Sequence, residues 1–142
     1  MEHFTVEELC KSTTAKKYGI KNVPNKYERK NLEFLIENLL EPLRERLGQP
    51  IIVNCGFRND VVNKLVGGSV TSAHRKGLAA DLRINDNNIR LKEELLKSGL
   101  DFDQCIVYHS KTNPSFVHIG LSDKKNRRQV LFSPDGKHYF SF

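Results

Sequence analysis

Two short strand-like runs, AADLRI at residues 79–84 and SFVHIGL at residues 115–121, constrain the fold more than any other feature of this sequence. In each run the apolar side chains recur at every second position, as expected of a strand with one face in a core. The opposite face of the first run carries Asp81, and that of the second carries His118. If these strands are neighbours in one sheet, a carboxylate and an imidazole meet on the face that turns away from the core.

The rest of the chain alternates helical and strand-like patterns. Apolar residues at helical spacing between positions 25 and 48 predict a long scaffold helix, in which Pro42 is expected to cause a kink or a break. Shorter helices are predicted to begin near Val6, at Asn59 and near Asn87. Further strand-like runs are PIIVNC, QCIVYH, QVLF and KHYFSF, the last two joined by a turn at SPDG. Because most strands follow one another along the chain, we predict an α+β fold with an antiparallel sheet and helices packed against it.

Length and hydropathy bound the class of protein. At 142 residues the chain has the size of one compact domain, spanning residues 1–142, and it contains no repeat or linker. No apolar run approaches the roughly 18–20 residues that a membrane span needs. The start, MEHFTVEELCKSTT, lacks the basic and apolar regions of a signal peptide. We therefore expect a monomer that is made in the cytoplasm and reaches any outside target after lysis or by a non-classical route.

Charge and cysteine content suggest partners without selecting one. The formal net charge of +6 favours polyanions, such as nucleic acid, acidic membranes or an anionic cell wall. The basic cluster KKNRR, at residues 124–128, has no interleaved aromatic residues to stack bases, so no specific nucleic-acid partner is expected. Cys10, Cys55 and Cys105 are widely spaced, which favours reduced thiols. Cys55 and Cys105 lie in apolar runs and are predicted to be small core residues.

His74 precedes Asp81 by seven positions in the stretch TSAHRKGLAADLR. On one helix these residues would be about 10 Å apart along the axis, too far to share a metal ion about 2 Å from each. With Asp81 on a strand, His74 can approach from the preceding loop, because Gly77 and the small alanines allow that loop to fold back closely on the sheet. Together with His118, these two residues would supply two imidazoles and one carboxylate, which is the three-ligand set of a catalytic zinc. Alternatively, the three residues are a loop histidine, a turn partner and a histidine satisfied by hydrogen bonds.

These motifs resemble those of a known family. SAHRKGLAAD matches the SxHxxGxAxD signature of the M15 zinc peptidases, which include D-alanyl-D-alanine carboxypeptidases, dipeptidases and phage endolysins and whose zinc site is similar to that of the hedgehog signalling domain. CGFR resembles the family's SGYR, VNKLVGGS its VNKxVGGS, DFDQCI its FDQLI, and FVHIG its WVHVS. The resemblance runs from Val23 to Arg128 and implies a hedgehog-like or DD-peptidase-like sheet with one Zn²⁺ per chain.

Family roles carry over to the matching positions. The resemblance implies that His74, Asp81 and His118 bind zinc. It also implies that Arg58 steadies the substrate carbonyl as it becomes an oxyanion, and that Ser72 helps to hold the substrate. The alternatives are a surface arginine and a serine that caps a helix.

The sequence departs from the family where an acidic general base is expected. Family members carry this acid at one of two positions, which are Ser115 and Tyr108 here. With an ordinary pKa near 10, Tyr108 could donate a hydrogen bond to an oxyanion but is a poor base near neutrality. His109 has a more suitable pKa, but strand alternation directs it away from the face used by Tyr108. Tyr108 and His109 are therefore the catalytic candidates at the place where the acid is missing.

Three functions remain open from the sequence. The favoured one is a zinc peptidase that cuts peptide stems or cross-links of peptidoglycan, as a carboxypeptidase or as an endolysin-like endopeptidase. The second is a zinc-bearing module that binds wall peptides without turnover, which Tyr108 in place of an acid would favour. The third is a basic nucleic-acid binder, for which the only support is the charge and the KKNRR cluster.

Overall fold

The computed structural model describes residues 2–142 and contains both helices and strands. The helices are α1 (Val6–Leu9), α2 (Thr13–Tyr18), α3 (Lys26–Leu35), α4 (Glu41–Leu47), α5 (Asp60–Leu65), α6 (Ala73–Lys76) and α7 (Ile89–Ser98), with a π-helical turn at Ile36–Leu40. The strands are β1 (Ile51–Cys55), β2 (Ala79–Ile84), β3 (Gln104–Tyr108), β4 (Val117–Gly120), β5 (Gln129–Ser133) and β6 (Phe140–Ser141). The predicted α+β class is confirmed.

The strands form one open six-stranded sheet in the order β1-β2-β4-β3-β5-β6. All neighbouring pairs are antiparallel except β3 and β5, which run parallel. The antiparallel sheet predicted from the sequence did not include this parallel pair. The reason is that β4 already occupies one edge of β3. The chain therefore leaves β4, passes the start of β3, where Arg128 N–H donates to the Phe102 carbonyl at 3.1 Å, and pairs with the free edge of β3.

The predicted scaffold helix is present, but Pro42 affects it differently from expectation. The helical path continues from Lys26 to Leu47 without a break, and the wider π-helical turn lies just before Pro42, which occupies the first turn of α4. Because proline has no N–H to donate and crowds the preceding turn, a locally widened helix accommodates it. Gly48, with φ +65°, then ends the helix as predicted.

The core lies between this helix, α7 and one face of the sheet. The apolar faces of β2 and β4 are fully buried, as the period-two pattern predicted. The residues concerned are Ala80, Leu82, Val117 and Ile119. Cys105 is buried in the same core, as predicted. The opposite face of the sheet is thereby free to carry polar side chains. Within residues 2–142, no helix combines the length and the apolarity that crossing a membrane requires.

Gly77 permits a close approach that positions the segment before β2. Its φ is +77°, and a Cβ atom there would lie 2.7 Å from the Glu28 carbonyl oxygen and 2.9 Å from Leu32 Cγ. The sequence predicted a close approach of Gly77 to the sheet, whereas the close approach in the structure is made to helix α3. A side chain at this position would both strain the backbone and push α6 away from α3.

The Gly77→Ala substitution is expected to lower the free energy of unfolding by about 2–5 kcal/mol, from left-handed backbone strain plus overpacking. Gly99→Ala is the matched control, because Gly99 has φ +73° but open space around its Cα. That control should lose only about 1–2 kcal/mol. Urea denaturation of both variants measures the difference, and equal losses would contradict the close approach.

Candidate metal centre

Three chemically competent side chains stand in one row across the sheet. In the strand register, Cys55 of β1 is opposite Asp81 of β2, and Asp81 is opposite His118 of β4. Directly opposed residues of antiparallel strands share a face, and this is the face that points away from the core. The predicted juxtaposition of Asp81 and His118 is therefore present: His118 Nδ1 lies 2.9 Å from Asp81 Oδ1.

His74 reaches the row from the short helix α6. Ser72 caps this helix, its Oγ accepting from the His74 backbone N–H at 3.2 Å. The His74 side chain is buried, and its Nδ1 lies 2.6 Å from the Gly56 carbonyl oxygen. Because a carbonyl oxygen can only accept, Nδ1 carries the proton and the lone pair lies on Nε2. Nε2 is 3.3 Å from Asp81 Oδ1.

Two donor pairs among these three residues, both involving Asp81, lie at distances that suit ligands of one divalent metal ion. Donor atoms bound to one tetrahedral zinc at about 2.0–2.1 Å are about 3.3 Å from each other. Asp81 Oδ1 lies 3.3 Å from a nitrogen of His74 and 2.9 Å from a nitrogen of His118, while the two imidazole centroids are 5.0 Å apart. The carbonyl of Gly56 also fixes the tautomer that leaves Nε2 of His74 free, a common arrangement around metal-binding histidines.

Cys55 is not the core residue that the sequence predicted. It is partly buried, and its thiol forms, with His74 and Asp81, a group whose donor atoms all lie within 4.8 Å of one another. The Sγ atom is 3.9 Å from His74 Nδ1, the nitrogen already bonded to Gly56. Burial, and secondarily the Asp81 carboxylate, raises the pKa of the Cys55 thiol to about 11. The donor atoms that all lie within 4.8 Å of one another are therefore those of Cys55, His74 and Asp81, whereas His118 joins this group through its 2.9 Å contact with Asp81.

The charge of Asp81 is stabilised by its neighbours. Burial by itself would raise the pKa of this carboxyl group, but the adjacent imidazoles of His74 and His118 outweigh burial and hold the pKa well below its usual range. Asp81 is therefore a carboxylate at any pH near neutrality, as a metal ligand must be.

Arg58 and Ser72 lie together beside this centre. The Arg58 backbone N–H donates to the His74 carbonyl at 3.1 Å, and its Nη2 donates to Ser72 Oγ at 3.3 Å. Arg58 Nε is buried and has no hydrogen-bond partner. Arg58 is partly buried and is not a solvated surface arginine, whereas Ser72 does cap a helix while also contacting Arg58.

A cleft of about 850 Å³ contains the centre. His74, Asp81, His118, Arg58, Ser72 and Tyr108 line it. His109 does not line it: it is exposed, its φ of +75° turns the chain away, and its Nδ1 lies 2.8 Å from Ser115 Oγ. The structure therefore brings six of the predicted site residues to one cleft and leaves His109 outside.

The chemistry of the cleft lacks an evident base. Burial, followed by the contact with Tyr139, raises the pKa of the Tyr108 phenol above its ordinary value, so this residue is a neutral donor. Besides Asp81, the carboxylates lining the cleft within residues 2–142 are Asp103 and Asp123. Arg127 binds both oxygens of Asp103 at 2.9 and 2.7 Å, and Lys76 binds Asp123 at 3.0 Å. Each of these acids is thus already paired with a cation.

Comparison with known proteins agrees with the geometry. A family model described as Peptidase M15 matches residues 2–120, which include His74, Asp81 and His118. No curated protein matches the chain. The matched region ends at the last residue of β4, so residues 121–142, which contribute Arg127 and Tyr139 to the cleft, lie outside it.

Proposed function

The chain belongs to the peptidase M15 family, and we propose that it is a zinc-dependent peptidase that hydrolyses peptide stems or cross-links of bacterial peptidoglycan. The observation that carries this proposal is one carboxylate oxygen within 3.3 Å of two imidazole nitrogens in a large cleft. A net charge of +6 favours attraction to an anionic wall.

We propose His74 Nε2, Asp81 Oδ1 and His118 Nδ1 as the zinc ligands. Cys55 is the less favourable third donor because its sulfur lies beside His74 Nδ1, which is engaged with Gly56, and because Cys55 does not line the cleft. When bound there, zinc would supply Lewis acidity, which polarises a carbonyl group and lowers the pKa of water.

The side chains around the centre would position and stabilise the reacting peptide. The guanidinium of Arg58, which lines the cleft, would donate to the carbonyl oxygen as negative charge develops on it. Ser72 Oγ accepts a hydrogen bond from Nη2 of the same guanidinium. Tyr108, as a neutral phenol, would donate a further hydrogen bond.

The missing base favours slow turnover or none. General base catalysis typically contributes about 10² to 10⁴ in rate, and the paired acids Asp103 and Asp123 are poor proton acceptors. A second candidate function is favoured by this pairing and by Tyr108, which stands where some family members carry the acidic base. In that function the protein is a zinc-bearing module that binds wall peptides without cutting them.

Mass spectrometry of purified muropeptides after incubation with zinc-loaded protein distinguishes these functions. New fragments, absent from an identically prepared Asp81→Ala control, would establish hydrolysis, and the mass lost would identify the bond. Binding of intact muropeptides without fragments would favour the second function. If the muropeptides are neither bound nor cleaved, both functions are refuted.

Chelation of the metal is expected to lower the melting temperature. A ligand present at 100 times its dissociation constant stabilises the folded state by about 2.7 kcal/mol. For a chain of this length that corresponds to about 5–10 °C. Differential scanning calorimetry with and without EDTA measures the shift, and restoring zinc should reverse it. An unchanged melting temperature would argue against a zinc site.

A further inference from the structure

The C-terminal segment, residues 121–142, builds one side of the cleft although it lies outside the family-matched region. Strand β5 pairs in parallel with β3, placing Gln129 opposite Gln104 and Leu131 opposite Ile106. All four of these residues line the cleft, because alternate side chains of paired strands share a face. Past β5, the turn before β6 adds Gly136 and Tyr139 to the same side.

Tyr139 meets Tyr108 within the cleft. Their hydroxyl oxygens are 3.4 Å apart, and the Tyr139 ring is edge-on to the Tyr108 ring at 6.4 Å and 87°. Tyr108 in turn stacks on Phe116, with centroids 4.4 Å apart and 15° between the ring planes. These three residues, called the aromatic wall below, thus form one group of packed rings that carries two neighbouring hydroxyl groups.

The turn that carries Tyr139 is held by its own hydrogen bonds. Asp135 Oδ1 accepts from the backbone N–H groups of Lys137 and His138, each at 2.8 Å. The fully buried Ser133 accepts from the Gly136 N–H at 2.9 Å. The Tyr139 hydroxyl donates to the Gly136 carbonyl at 3.2 Å. Tyr139 is nevertheless 48% exposed, so a ligand can reach a hydroxyl whose position is already restricted.

The aromatic wall differs from the rest of the cleft in its charge. Elsewhere the lining carries the ion pairs Asp103–Arg127 and Asp123–Lys76, together with Arg58. Phenols are uncharged near neutrality and donate one hydrogen bond each, which is a good match for the carbonyl of a neutral amide. Aromatic faces beside such donors bury apolar substrate atoms at little entropic cost.

We infer that Tyr139 is a substrate-binding residue, which with Tyr108 forms a pair of neutral donors for a backbone carbonyl of the bound peptide. The inference rests on the proposed function and assigns to the C-terminal segment a role in recognising the peptide. In the free protein the Tyr108 hydroxyl donates to that of Tyr139, which donates to Gly136. When a peptide binds, the Tyr139 and Tyr108 hydroxyl groups turn toward its carbonyl oxygen.

The test compares zinc-loaded wild type with Tyr139→Phe, Tyr139→Ala, Tyr108→Phe and the double phenylalanine variant, using a synthetic stem pentapeptide. Tyr27→Phe is the matched control, since Tyr27 is 60% exposed and does not line the cleft. Loss of one hydrogen bond should raise KM, or Kd if there is no turnover, about three- to tenfold in Tyr139→Phe, with kcat changed less than about twofold. Tyr139→Ala should raise KM further because the ring is also lost.

Two additional readouts separate binding from a merely structural role. If the hydroxyl groups act as a pair, the double variant should lose less than the product of the two single losses. Adding peptide should change the near-ultraviolet tyrosine absorption of the wild type, and this change should be smaller in Tyr139→Phe. Circular dichroism establishes that each variant is folded, and Tyr139→Phe still tests the inference if Tyr139→Ala does not fold.

The experiment distinguishes failure of the inference about Tyr139 from failure of the proposed function. If the wild type cleaves or binds the pentapeptide and both Tyr139 variants behave like Tyr27→Phe, the inference is overturned and the proposed function stands. If the wild type neither cleaves nor binds the pentapeptide, both fall together.

Discussion

Replacing His118 with alanine is expected to reduce the zinc content of purified, dialysed protein from about one ion per chain to less than about one tenth of that. The reason is that the proposed centre would retain only His74 and Asp81, whereas catalytic zinc sites use three protein ligands. Zinc that binds the folded state raises the free energy of unfolding, so a variant that does not bind zinc should no longer be stabilised by added zinc. Elemental analysis and a thermal melt with and without zinc measure both effects.

Cys55→Ser provides the sharpest control for this prediction. The thiol lies in the same row of the sheet as His118 and belongs to the alternative donor set with His74 and Asp81. Under our proposal the serine variant keeps its zinc. The reverse pattern, with zinc lost in Cys55→Ser and kept in His118→Ala, would replace our ligand set with the one that includes the thiol.

Removing the guanidinium of Arg58 is expected to lower kcat/KM by about 10² to 10³ while leaving the zinc content unchanged. The magnitude is that of losing one donor to a developing oxyanion. The backbone bond from Arg58 N–H to the His74 carbonyl persists in Arg58→Ala, so His74 should stay in place. Steady-state kinetics beside zinc analysis tests both parts.

Arg58→Lys should recover only part of the lost rate, since an ammonium group keeps the charge but not the planar arrangement of donors. A rate in Arg58→Ala equal to that of the wild type would remove Arg58 from the mechanism. Loss of zinc from that variant would instead give Arg58 a structural role at the centre.

The part of the site that sequence could predict depends on local periodicity. Alternation along AADLRI and FVHIG places Asp81 and His118 on one face without any knowledge of the partner strands, and the structure pairs them directly. His74 could be added because its spacing from Asp81 excludes a shared helix and Gly77 signals a tight turn. These inferences depend on backbone geometry over a few residues, and that geometry is the same whatever the rest of the fold.

The residues that were missed depend on longer-range structure. In β1 the register with β2 shifts between Val53 and Cys55, so that the extra residue Asn54 places Cys55 opposite Asp81. Nothing in the run PIIVNC signals this bulge. Tyr139 reaches Tyr108 only because β5 pairs with the free edge of β3, and the parallel pairing follows from the position of β4. Such features are properties of the assembled sheet.

The row that runs from β2 to β4 also determines when a metal site can exist during folding. Asp81 and His118 are 37 positions apart in sequence, and α7 and β3 lie between them in the chain. Bringing such distant segments together carries a loop-closure cost, so pairing of β2 with β4 is expected to be a late step relative to formation of the helices. An unfolded or half-folded chain therefore offers a metal ion only isolated donors. Metal uptake followed in time during refolding would report completion of the sheet's centre, and it should lag behind the far-ultraviolet signal of the helices.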